Sequence, residues 1–214
     1  MPIVEHVIIA VAGLGSRLGL GKPKCLVELE GHPIIEYQLN LLKNIPDIRV
    51  VIGFEEFEVI NTIKKIRSDV TFIRNPAYRT TSTLYSYAVG AEYLNESSLF
   101  MDGDIIFDPD SFEQFINTCT NNSPLVGVTE AKTVDAVYAH CDNGQVTKFS
   151  RSENSDYEWA NIVWVPPGYF QRENKAVFER LESELPLPMH HVVSYEVDTV
   201  EDYEQAKKHV YRLT

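Results

Sequence analysis

The chain has 214 residues, 44% of them hydrophobic and 23% charged, a balance that suits one domain with a substantial core. Its 31 acidic against 19 basic residues give a net charge of −12, which excludes broad affinity for a nucleic-acid backbone. No apolar run approaches the roughly 18 residues of a membrane span. Three scattered cysteines (Cys25, Cys119, Cys141) match no metal or redox spacing, and the first residues lack the basic and small-residue pattern of a secretory leader. A cytoplasmic protein is expected.

In chain order, residues 3–11 carry most of the apolar run Val7-Ile8-Ile9-Ala10-Val11-Ala12 and read as a buried strand, followed by a glycine-rich turn. Ile34, Ile35, Leu39 and Leu42 predict a helix over 33–44, with a strand at 48–53. Val59, Ile60, Ile63 and Ile66 predict a helix over 55–67, then a strand at 70–74 and a helix at 82–95. Strands at 97–102 and 124–130 flank a helix that starts at Asp110-Ser111. This alternation predicts an α/β fold with a doubly wound, mostly parallel, Rossmann-like sheet.

The second half differs. Residues 134–141 and 145–149 flank Asp142-Asn143-Gly144, a hairpin turn signal. A strand at 159–165 stops at Pro166-Pro167-Gly168, and a helix over 169–184 precedes the proline-rich Leu185-Pro186-Leu187-Pro188. A strand at 192–197 and a helix at 201–212 close the chain. With no repeat or linker, residues 1–214 read as a single domain. Residues 1–130 form its ligand-binding α/β core, and 131–214 supply a small β-hairpin/α region that walls a second pocket.

The chemistry concentrates at strand ends. Gly13-Leu14-Gly15-Ser16-Arg17-Leu18-Gly19 runs into Lys22-Pro23-Lys24. The glycines allow positive φ and close approach to a ligand, and successive N–H groups form an anion nest. A glycine turn alone is commonplace, but Arg17, Lys22 and Lys24 point to a polyphosphate. A Walker A loop is excluded by Ser16 and Pro23, and a dinucleotide fingerprint by Leu18 where a third small residue is needed. Asp102-Gly103-Asp104 ends a central strand, where both carboxylates can face one divalent cation; a solvated acidic turn is the bland alternative. Asp198 ends another strand, either as a metal ligand or as the N-cap of the last helix.

Together these segments resemble the nucleotidyltransferases that join a nucleoside triphosphate to a phosphorylated small molecule. The residues that carry the likeness are Gly13–Arg17 with Pro23-Lys24, Asp102-Gly103-Asp104, and Tyr195-Glu196-Val197-Asp198-Thr199-Val200-Glu201-Asp202. The segment Asn75–Ser86 is similar to the bacterial phosphocholine cytidylyltransferase branch, with Thr80-Thr81-Ser82-Thr83 where that branch commonly has an Asn. The resemblance implies two catalytic cations, Arg17 on the β- and γ-phosphates and Lys24 on the α-phosphate. It implies nucleotide contacts from Ala12, Gly13, Leu14, Gly15, Ser16, Asn75, Thr81, Ser82 and Asp102. Asp104 and Asp198 would hold Mg²⁺, with Asp102 auxiliary, and Ser86, Arg151 and Glu158 would touch the acceptor.

The implied partners are CTP and a small phosphorylated acceptor such as phosphocholine, a phosphonate or a phosphoglutamine-like compound. The implied products are pyrophosphate and a CDP- or CMP-activated compound for surface polysaccharide decoration. The reading is compatible with a homo-oligomer. A sugar-1-phosphate nucleotidyltransferase, a metal-dependent glycosyltransferase using the Asp-x-Asp pair, and a non-catalytic nucleotide sensor stand as alternatives. Tyr78, Tyr85, Tyr87, Tyr157, Trp159 and Trp164 are available either for packing or for an aromatic cage around a quaternary ammonium.

Overall fold

The first apolar run forms β1 (His6–Ala10), whose alternate side chains enter different cores: Val7 and Ile9 on one face of the sheet, Ile8 on the other. Burial on both faces is the mark of a central parallel strand. A computed structural model describes residues 4–15, 21–120, 123–133 and 135–211. Ser16 and Arg17 lie outside the described residues.

After β1 and its glycine turn, a single 3-10 turn covers Lys24–Leu26. A short hairpin then pairs β2 (Glu28–Leu29) with β3 (His32–Pro33) and leads into α1 (Ile34–Leu41). The β-α alternation continues through β4 (Asp47–Ile52), α2 (Glu56–Ile66), β5 (Val70–Arg74), α3 (Thr83–Gly90) and β6 (Ser98–Asp102). Next come β7 (Ile105–Phe107), α4 (Pro109–Thr118) and β8 (Leu125–Glu130). The remainder is β9 (Tyr138–Asp142), β10 (Gln145–Ser150), β11 (Tyr157–Val165), α5 (Val177–Glu182), β12 (Leu187–His191), β13 (Ser194–Glu196) and α6 (Val200–His209).

Nine strands form one sheet in the order β5-β4-β1-β6-β11-β8-β12-β10-β9. β5, β4, β1 and β6 are mutually parallel, as the β-α alternation requires. Beyond β6 the sheet becomes mixed, because β11 runs antiparallel to both β6 and β8. α1, α2 and α4 pack on one face and α3 and α5 on the other. A third apolar cluster joins Ile34 and Tyr37 of α1 to Ile106, Val197 and Ala206, which docks α6 against the strand ends. Among the described residues no helix is long and apolar enough to cross a membrane.

Several boundaries depart from the sequence reading. The helix read over 169–184 shortens to Val177–Glu182; Tyr169 and Phe170 instead pack as irregular chain, with Phe170 against Tyr87 and Phe100. The closing strand read at 192–197 shortens to β13, which leaves the main sheet to pair with β7, and the proline-rich stretch before it leads into a strand the sequence did not suggest, β12, which includes Pro188. α4 starts at Pro109 rather than Asp110, because Asp108 is the cap and accepts from the Ser111 N–H. Thr199 caps α6 by accepting from the Asp202 N–H, which releases Asp198 from that role.

Gly103 makes the turn after β6 possible. A Cβ there would stand 2.2 Å from Val11 Cγ1 and 3.2 Å from the Ala10 carbonyl oxygen. Gly103→Ala is therefore expected to cost about 1–3 kcal/mol through overpacking. At roughly 2–4 °C per kcal/mol for a chain of this size, the melting midpoint falls by several degrees. An unchanged midpoint in a thermal melt would mean that Val11 yields without cost.

Candidate active site

Two pairings assemble the site. β1 lies parallel to β6 with Ala10 opposite Asp102, and the Gly103 N–H donates to the Ala10 carbonyl at 3.0 Å. The glycine turn and the Asp102-Gly103-Asp104 turn thus leave the sheet side by side, at the C-terminal ends of parallel strands where α/β sheets bind ligands. β13 lies antiparallel to β7 with Glu196 opposite Ile105, and the Val197 N–H donates to the Asp104 carbonyl at 2.8 Å. That register carries Asp198 to Asp104 from the far end of the chain.

Lys24 stands between them. Its ammonium donates to Asp104 Oδ2 at 2.7 Å and pairs with Asp198 Oδ1. The side chains of Lys24, Asp104 and Asp198 are only 16%, 17% and 8% exposed, so the charges meet largely out of water. Gly15, at φ +61°, lets this lysine come close to the glycine turn. A Cβ at Gly15 would lie 3.1 Å from Lys24 Cγ and 3.2 Å from the Lys22 carbonyl. Burial acts against the ammonium, but Asp104 and Asp198 outweigh it and raise the Lys24 pKa above that of an ordinary lysine.

The turn is braced from beneath. Gln38, fully buried in α1, donates from Nε2 to the carbonyls of Asp102 and Ile105, both at 2.8 Å. Tyr87, fully buried in α3, donates its hydroxyl to Asp102 Oδ1 at 2.6 Å. Burial and the neighbouring Asp104 charge push the Asp102 carboxyl up to about 7, against the opposing pull of Tyr87 and Lys24. Glu196 is pushed up to about 8 by burial and by Asp104, Asp102 and Asp198, with Lys24 opposing. The carboxylates here exceed what one lysine neutralises, so the cluster has a standing demand for positive charge.

Two adjoining cavities flank these residues. The first, of 310 Å³, is lined by Ala12, Gly13, Leu14 and Gly15 on one side, Asp102 and Asp104 on another, and Lys24. Tyr78, Thr81, Ser82 and Ser86 complete it, so the N-terminus of α3 opens into this space and offers unpaired N–H groups. The second, of 640 Å³, shares Ser82, Thr83 and Asp102 with the first and extends past Asp198 to Arg151, Glu158 and Asn161.

The sequence-selected residues fall into these places as follows. Ala12 to Gly15, Lys24, Thr81, Ser82, Asp102 and Asp104 line the first cavity, while Asp198 lines the second and reaches Lys24. Asn75 lines neither: buried, it donates to Thr81 Oγ1 and Ser86 Oγ and accepts from the Ala77 N–H, so it braces the loop. Ser86 opens to the glycine-turn cavity rather than to the acceptor side. Glu158 lines the second cavity, but its Oε2 is occupied by the N–H groups of Lys132 and Thr133 and by the Thr133 hydroxyl. Arg151 lies exposed at that cavity, over the Phe178 ring.

Sequence reasoning passed over Gln38 and Asn161, quoted Glu196 only within the motif around Asp198 without a role, and took Tyr87 only as packing or cage. A glutamine in the apolar stripe of α1 was the one available signal.

A doubly wound sheet carries the glycine turn, Lys24 and two convergent carboxylates together at the ends of its parallel strands. Residues 7–209 match the MobA-like NTP transferase domain, and the chain belongs to that family. It is 32% identical to the choline-phosphate cytidylyltransferase of Haemophilus influenzae over 114 residues, which are 50% of this chain and 47% of that protein. It is also 32% identical to the enzyme of the same name from Streptococcus pneumoniae over 146 residues, 61% of this chain and 62% of that protein. The chain therefore spans about half to three-fifths of these relatives. The fold is shared with the inositol-1-phosphate CTP transferase of T. maritima, at a TM-score of 0.81 and 14% identity, with 96% of each chain covered.

Removing one member of the buried charge cluster leaves the others uncompensated. Lys24→Met is expected to destabilise the free protein by about 3 kcal/mol, within the usual range for breaking a buried pair. Urea unfolding measures this directly; equal stability of variant and parent would show that the pair is a solvent-screened contact.

Proposed function

We propose that this protein is a Mg²⁺-dependent cytidylyltransferase that condenses CTP with a small phosphorylated acceptor and releases pyrophosphate. The observation that carries the reading is the meeting of Lys24, Asp104 and Asp198 at one point beside the glycine turn. The family assignment and the cytidylyl-transferring relatives support it, and residues 1–214 are read as one catalytic unit. A cytoplasmic location, a homo-oligomer and a role in surface polysaccharide decoration belong to the same proposal.

The carboxylates fit a divalent cation: Asp104 and Asp198 already converge on a single positive charge, that of Lys24, and Asp102 lies one glycine away. Bound there, with Asp102 as auxiliary ligand, Mg²⁺ would neutralise phosphate charge on both substrates. The chain's own groups do the remaining work. The backbone N–H groups of Gly13 to Gly15 and the start of α3 cradle the triphosphate. Arg17 is assigned to the β- and γ-phosphates, and Lys24 moves from its carboxylates to the α-phosphate.

The acceptor enters from the second cavity, with Arg151 at its rim. One of its phosphate oxygens attacks the α-phosphorus in line; the new P–O bond forms as the bond to the bridging oxygen breaks. Pyrophosphate leaves with that electron pair. The attacking oxygen is already anionic near neutral pH, so no general base is required. Neutralising two polyanions and aligning them supplies the acceleration.

Pyrophosphate release, with each of four nucleoside triphosphates and a panel of phosphorylated acceptors, tests the reading. CTP is expected to be preferred. Lys24→Ala, Asp104→Asn and Asp198→Asn should each lower kcat/KM by on the order of 10²–10³, the scale of losing one charge-stabilising group. The comparison is made below the variants' melting range. No release with any acceptor, or full turnover by Lys24→Ala, contradicts the proposal.

A further inference from the structure

Four hydrogen bonds tie the backbone around Asp102-Gly103-Asp104 to other parts of the fold. The Gly103 N–H donates to the Ala10 carbonyl at 3.0 Å, at the end of β1, and the Asp104 carbonyl accepts from the Val197 N–H at 2.8 Å, just past β13. The other two fall on either side of the turn: the carbonyls of Asp102 and Ile105 both accept from Gln38 Nε2, each at 2.8 Å. Of these partners Gln38 alone acts through its side chain. It lines neither cavity, so it reaches the chemistry only through the turn.

The amide of Gln38 is kept for its two donors. Both partners are carbonyls, so the NH₂ must face them, with one proton spent on each. That leaves Oε1 buried with no donor among the described residues, in a side chain that is 0% exposed. An unpaired buried acceptor costs stability. The cost is borne on a face of α1 where Ile34, Ile35, Tyr37 and Leu39 are buried beside it.

α1 also supports the other two charged groups. Just past the Lys24–Leu26 turn, the Val27 carbonyl accepts from the Ile34 N–H at 3.0 Å, and the Leu29 carbonyl accepts from the Tyr37 hydroxyl at 2.8 Å. Beyond α6, the Tyr211 hydroxyl donates to the Tyr37 carbonyl at 2.6 Å. Ile34 and Tyr37 share an apolar cluster with Val197, directly before Asp198, and with Ala206 after it. One helix thus touches the segments that carry Lys24, Asp104 and Asp198, and Gln38 is its hold on the middle one.

We propose that Gln38 is a positioning residue of the transfer reaction. By pinning the carbonyls on both sides of Gly103-Asp104, it fixes the direction in which Asp104 presents its carboxylate to the metal. The inference rests on the transferase reading of the site. Without the two donors, the bonds to Ala10 and Val197 keep the turn in place but leave it free to tilt about them. Losing a partner that orients a metal ligand costs about 10–100-fold in metal affinity or activity. The loss should fall on metal binding and kcat, and leave the grip on the nucleotide intact.

Gln38→Met keeps the length and removes both donors; Gln38→Asn keeps the amide but draws it back by one methylene. Phe115→Leu shortens a fully buried side chain of α4 that lines neither cavity, and serves as the comparison for lost stability alone. Calorimetry gives Mn²⁺ affinity in the presence of a non-hydrolysable CTP analogue. Pyrophosphate release at saturating Mg²⁺ gives kcat and KM, all below the melting range. Each folded Gln38 variant is expected to lose about 10–100-fold in Mn²⁺ affinity and in kcat, with KM for CTP changed by about twofold or less. Phe115→Leu should keep all three. In the unsubstituted protein, the Gln38 Nε2 protons should exchange with solvent far more slowly than those of an exposed glutamine, both free and with analogue and Mg²⁺ bound.

Full Mn²⁺ affinity and kcat in a folded Gln38 variant overturns the proposal. So does an equal loss in Phe115→Leu, or free exchange of the Nε2 protons in the loaded protein. Mn²⁺ affinity lost only in the Gln38 variants, with no pyrophosphate released even by the unsubstituted protein, would count against the transferase reading and leave the positioning role standing.

Discussion

The whole site depends on one lysine held between two carboxylates from distant parts of the chain. Lys24 follows the first strand, Asp104 follows β6, and Asp198 precedes the last helix. Bringing like charges together in a half-buried place is unfavourable unless a counter-charge is present, and the free protein provides its own. The surrounding structure serves that meeting. Gly15 gives Lys24 room, Gly103 gives the turn room, and pairing of β13 with β7 fixes the distance between the acids.

Such a cluster is poised rather than satisfied. Asp102 and Glu196 are both pushed well above the usual carboxylate range by burial and by their acidic neighbours. On the proposed reading, a polyanion arriving at the glycine turn would compete for Lys24, and each carboxylate it uncovered would then favour a cation. Triphosphate and metal would in this way be bound more readily together than separately. The physical basis is charge compensation inside a poorly solvated crevice, where each interaction counts for more than it would in water.

Much of this was legible in the sequence. The β-α alternation of residues 6–102 follows from apolar periodicity, and the glycine turn, Asp104 and Asp198 all carry local signals of strand ends. The less legible parts depend on tertiary context. Tyr169 and Phe170 read as a helix start, yet their rings are drawn to Tyr87 and Phe100, and the chain stays irregular to meet them. Pro188 reads as a break but sits in β12, whose pairings there are few. Asp198 taken alone had two readings in the sequence, metal ligand or helix cap; Thr199 takes the cap, so the cap reading falls away. Asn161 gave no warning, because a left-handed residue inside a strand is set by the bulge around it.

A crystal of the protein with a non-hydrolysable CTP analogue and Mn²⁺ tests the central claim most directly, through the anomalous signal of the metal. The account predicts an anomalous peak within coordinating distance of Asp104 and Asp198, at the point where the Lys24 ammonium lies in the free protein, with that ammonium moved onto the α-phosphate. A nucleotide seated away from Gly13 to Gly15, or a metal elsewhere with Lys24 still paired to both aspartates, would contradict it.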